Sequence, residues 1–90
     1  MSYQGHNILS KLQLELEASM MKLINDGAMM YLLRRRVREI ALSYRQFIIW
    51  SPELHRERAV VIVDIWDQQW NTIKRIEVTA SEKILNAPLW

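Results

Sequence analysis

Apolar residues recur every three or four positions through Leu9, Leu12, Leu16, Met20 and Leu23, the spacing that gathers side chains on one face of an α-helix. The pattern predicts a helix over 8–25, with Asn7 as its N-cap and "NDG" as its stop, because Gly27 takes the left-handed conformation that ends a helix at no steric cost. Helical spacing resumes at Met30, Leu33, Val37, Ile40, Ala41, Tyr44 and Phe47 or Ile48, which predicts a second helix over 28–49. At "SPE" a boundary follows: Ser51 suits an N-cap, Pro52 the first helical position, and Glu53 and Glu57 the positive end of the dipole. Val63, Trp66, Trp70, Ile73, Ala80 and Ile84 then keep helical spacing, giving a third helix over 52–85 that Pro88 forbids from continuing.

The expected fold class is therefore all-α, a single helical domain over 1–90 in an antiparallel three-helix arrangement. At 1.5 Å per residue the third helix would be about 50 Å long and would overhang the second by about 17 Å. The alternative is α+β, with residues 59–80 as a β-hairpin in which "AVVIVDIW" turns through "DQQWN" into "TIKRIEVTA". Helix is preferred because that turn has no glycine and neither half alternates cleanly.

Composition narrows the function classes. The chain has no cysteine, which excludes a disulfide framework, a thiolate zinc site and a cysteine nucleophile. No apolar run approaches the roughly 20 residues of a membrane span, and "MSYQGHNILSKLQLELEAS" lacks the basic start and short apolar segment of a signal peptide. The expectation is a cytoplasmic protein without a membrane partner.

The net charge of +2 is unevenly placed. Residues 34–58 hold seven arginines against Glu39, Glu53 and Glu57, a local +4, whereas the segments on either side each come to −1. At about 100° per residue on a helix over 28–49, Arg34, Arg38 and Arg45 form a stripe beside the apolar arc with Tyr31 adjoining, while Arg35 and Arg36 point elsewhere. Such a stripe can track phosphates while Tyr31 stacks on a base. It can also face an acidic protein, but the preferred reading is a face that lies in water with its heads paired to Glu15, Asp64 and Asp67.

Catalytic signals are sparse. His6 and His55 have no partner at a useful spacing, and on a helix Glu53 and Glu57 share one side while His55 points about 200° away, so the three could not share a metal. No metal and no cofactor are expected.

Half the residues are hydrophobic, and the second helix is apolar on more than one face, with Trp50 and Leu32 set away from its inner stripe. With the overhanging third helix, this predicts a homodimer or higher oligomer whose interface includes Trp50, Leu32, Trp66, Trp70 and Ile73. The functional expectation is a non-enzymatic adaptor or regulatory protein that self-associates and presents Arg34, Arg38, Arg45 and Tyr31 to a macromolecular partner, an unidentified protein with nucleic acid possible. The alternative is a nucleic-acid-binding accessory protein, and a second alternative a small all-helical enzyme that clamps an acidic substrate.

Overall fold

The computed structural model describes residues 3–88, with side chains from residue 8 onward. Helix α1 spans Tyr3–Asn25 and α2 spans Met30–Ala41; strands β1 (Ile48–Ile49), β2 (Glu53–His55), β3 (Val60–Trp66) and β4 (Thr72–Thr79) follow, and one helical turn, α3 (Glu82–Leu85), comes last. The fold is α+β, so the all-α three-helix reading is overturned. Its alternative, a hairpin within 59–80, is what the chain forms.

Helix α1 begins earlier than expected, so residue 7 lies inside it rather than at its cap; the side chains of His6 and Asn7 are outside the described residues. It ends as read, with Gly27 at φ +85° and its amide donating to the Ile24 carbonyl. Helix α2 stops eight residues short of the reading. Past Ala41 the backbone tightens into three-residue turns, with the amides of Ser43, Tyr44 and Phe47 donating to the carbonyls of Ile40, Ala41 and Tyr44. Tyr44 and Phe47 still pack on the core, which is why the apolar spacing outlasts the helix. The Tyr44 hydroxyl donates to Glu15 at 2.7 Å and ties this segment to α1.

Residues 52–85 fail as a helix because the run "VVIVDIW" is dominated by β-branched side chains, stiff at χ1 and suited to a pleated surface. β3 is the central strand: β1 and β2 lie end to end along one edge and β4 along the other, all antiparallel. Val61, Val63 and Ile65 point to the helices and lie under them, fully buried, with Ile76 and Val78 of β4 beside them. Ile62, on the opposite face, is also buried between its cross-strand partners Glu53 and Glu77. Val60, Ile62 and Trp66 make the outer face apolar too, which hides in the sequence the alternation by which a half-buried strand is recognised.

The expected turn "DQQWN" closes without glycine because Trp70 itself adopts φ +68°. Asp67 supports it, its carboxylate accepting from the amides of Asn71 and Gln69, both at 2.9 Å, and from the Asn71 side chain at 3.1 Å. These bonds, the Asn71 amide foremost, hold the Asp67 carboxyl below its ordinary range. At the other edge, residues 50–52 oppose only residues 63–64 of β3, so one extra residue makes a bulge. Pro52 sits buried in that bulge and not at a helix start, where a missing donor breaks no ladder. Ser81, not Ser51, is the cap that forms, accepting from the Ile84 amide at 3.2 Å.

Two outcomes test this description. At Gly27 an added Cβ would meet nothing closer than 3.6 Å, so Gly27→Ala should cost about 1–2 kcal/mol from the left-handed backbone alone, measured by urea unfolding. Asp67 has a lowered folded pKa, so its contribution is present above the unfolded value of about 3.9 and is lost as pH falls through the folded one. Asp67→Asn should therefore be less stable than the parent at neutral pH, the two converging as pH falls through the lowered folded value.

Candidate functional site

Where the bulge interrupts β1 and β2, the start of α2 and the C-terminal turn stand over the broken edge and enclose a groove of about 830 Å³. Tyr31 and Arg34 of α2, Trp50 and Ser51 of the bulge, and His55 and Arg56 line it, with Glu53 as its one acid. Tyr31 is 64 % exposed and Trp50 46 %, unusual for large aromatics that have a core available to them.

The arginines separate by role. Arg56 is structural, donating to the carbonyls of Leu85 and Ala87 and fastening the C-terminal turn. Arg75 forms a cross-strand pair with Asp64, Arg58 reaches Glu77 of β4 from the turn before β3, and Arg36 pairs with Glu39. Arg34, Arg35, Arg38 and Arg45 make no ion pair or side-chain hydrogen bond among the described residues. The acids expected to neutralise them are engaged elsewhere: Glu15 by Tyr44, Asp64 by Arg75, Asp67 by its own turn. Arg34 and Arg38 stand one turn apart on α2, on the same face. Arg45 does not continue that stripe, because α2 has ended; it lies against the β3–β4 turn, where Gln68 donates to its carbonyl.

The tryptophans expected at an oligomer interface come together on the outer sheet face. Trp66 meets Trp50 edge-on at 5.4 Å between ring centroids and Trp70 edge-on at 6.0 Å, an offset geometry that aromatic quadrupoles favour. Trp50 thus belongs both to this cluster and to the groove. Leu32 is not among them, being half-buried against the core, and Ile73 lies at the β4 irregularity opposite Ile65 and Trp66. The Trp66 indole N–H is buried with no hydrogen-bond partner among the described residues.

Strand geometry also reverses one expectation. Glu53 and His55 are two apart on β2 and so share a face, with Nε2 3.7 Å from the Glu53 carboxylate, whereas Glu57 lies in the following turn. Among the described residues no three His, Asp or Glu side chains converge to hold a metal ion, and no helix is long and apolar enough to cross a membrane. Comparison with family models, curated proteins and solved structures finds no match to this chain.

The orphan donor yields a test of the tryptophan cluster. Trp66→Phe keeps an aromatic ring between Trp50 and Trp70 and removes the unpaired N–H, so its stability should stay within about 1 kcal/mol of the parent or exceed it. Trp66→Ala should lose about 3 kcal/mol, the ring contacts going with the side chain. Thermal melts followed by near-ultraviolet circular dichroism distinguish the two.

Proposed function

We propose that this is a nucleic-acid-binding accessory protein, a binder rather than an enzyme, acting on single strands in the cytoplasm. The observation that carries the reading is unpaired Arg34 in a groove walled by the exposed rings of Tyr31 and Trp50, with unpaired Arg38 one helical turn further along α2. Guanidinium groups without an internal acid are available to phosphate oxygens, which they meet in a bidentate fork. Exposed rings beside them offer stacking surfaces to unpaired bases, whatever their sequence. An acidic protein partner, as in the adaptor reading, would use the same arginines and rings, and the oligonucleotide titration below separates the two readings. The chain's modest charge favours a short contact over a long electrostatic track, with Arg34 and Arg38 at phosphates and Trp50 under a base.

Fluorescence anisotropy with labelled oligo-dT and oligo-rU, titrated at several salt concentrations, tests this. Arg34→Gln and Arg38→Gln should each lower the slope of log K against log salt by about 0.7, as expected for one phosphate contact on a single strand. Trp50→Ala should weaken binding by about 1–3 kcal/mol at every salt concentration. Both arginine variants should unfold within about 1 kcal/mol of the parent, because the side chains removed are exposed and unpaired. Binding that is absent, or unchanged by all three substitutions, would reject the proposal.

A further inference from the structure

The edge of the sheet away from the groove is built differently. The Ala80 amide donates to the Ala59 carbonyl across the β3–β4 side, and the Trp50 amide donates to the Asp64 carbonyl across the other. Antiparallel alternation then turns the backbone groups of Lys74, Ile76 and Val78 toward β3 and those of Arg75, Glu77 and Thr79 outward, where no described strand receives them. From Lys74 to Thr79 this edge runs in unbroken register, with neither the proline nor the bulge that blunts the opposite edge.

We propose that β4 pairs with β4 of a second copy of this chain, antiparallel about a two-fold axis at Ile76. The register follows from charge. With Ile76 opposite Ile76, Arg75 faces Glu77 of the second copy and Glu77 faces its Arg75, so opposite charges meet twice. Centring on Arg75 or on Glu77 would set like charges against each other. The pairing also extends a row already present, since Arg75 is held by Asp64 at 2.8 Å on its own β3 and would meet Glu77 of the second copy on its other side. All outward amides and carbonyls of Arg75 and Glu77 are satisfied in this register.

A second observation points to the same edge. Helix α1 packs over β4, and its exposed Leu14, Ala18 and Met21 form an apolar strip at spacings of four and three; Leu14 is 66 % exposed and Met21 53 %. Met21 opens onto a notch shared with Glu77, Val78 and Thr79, which places Met21, the end of that strip, at the β4 side. Two copies joined through β4 bring their α1 helices side by side over one continuous sheet, with the Met21 side chain of each near the seam. Because the groove lies at the opposite edge, association and oligonucleotide binding are separable.

Light scattering behind size exclusion, over a range of micromolar concentrations, reads the mass directly. The parent protein should elute at two chain masses. Met21→Lys places a charge in the apolar strip, and Glu77→Pro removes an outward amide at an edge position that tolerates proline; each should elute at one chain mass with the parent's far-ultraviolet circular dichroism. Met21 is exposed, so that variant stays folded and decides the matter should Glu77→Pro fail to fold. A parent protein at one chain mass, or a dimer that persists in either folded variant, overturns the proposal.

Discussion

Val61, Val63 and Ile65 can leave water only if both edges of β3 are paired and one face is roofed by helices, and the remaining elements are placed by that requirement. A strand buried this completely must have every backbone amide and carbonyl matched, so it takes β4 on one side and β1 with β2 on the other. α1 and α2 contribute Leu12, Leu16, Met20, Leu33, Val37 and Ile40 to the same core. Their apolar stripes are real, but what they cover is a sheet and not a third helix.

The two edges of that sheet have different characters, and both proposals, for oligonucleotide binding and for self-association, start from the difference. On the β1–β2 side, one extra residue and a buried proline bend the strand away from regular pairing, which opens the groove and turns Trp50 into it. On the β4 side the strand is irregular only at Ile73, and from Lys74 to Thr79 it stays in register. An irregular edge presents side chains, whereas a regular edge presents hydrogen-bonding groups. The first suits a ligand with phosphates and bases, the second another strand.

The arginines illustrate how pairing is decided away from the residues themselves. Arg58 and Arg75 find acids because the hairpin register brings Glu77 and Asp64 to them. Arg34 and Arg38 have none because α2 faces solvent along that side and the nearby acids already accept other bonds. Exposed pairs contribute little stability, so little in folding opposes leaving α2 unneutralised. Trp70 follows a similar logic: a bulky residue in the left-handed region is strained by about 1–3 kcal/mol, and here that strain projects the indole, 62 % exposed, beyond the end of the sheet.

Helix α1, the stop at Gly27 and the start of α2 were legible in the chain, because helical spacing and a left-handed glycine are local properties that neighbours three or four residues away suffice to express. Arg34 and Tyr31 were legible as neighbours for the same reason, being on one helix. What followed was legible only as the alternative reading, a hairpin within 59–80. Tyr44 and Phe47 keep a helical interval while lying outside a helix, and β3 shows no alternation in sequence because Val60, Ile62 and Trp66 make its outer face apolar as well. The turn carries no glycine because Asp67 and a left-handed Trp70 take its place. Sequence alone thus determined the helical half, the concentration of arginine and the surplus of apolar side chains. Only the tertiary structure decided that residues 48–79 form a sheet, that Trp50 joins Tyr31 and Arg34 at one groove, and that Arg45 leaves the stripe. Those outcomes depend on pairing between segments distant along the chain, whose backbone bonds reward a strand that no local interval announces.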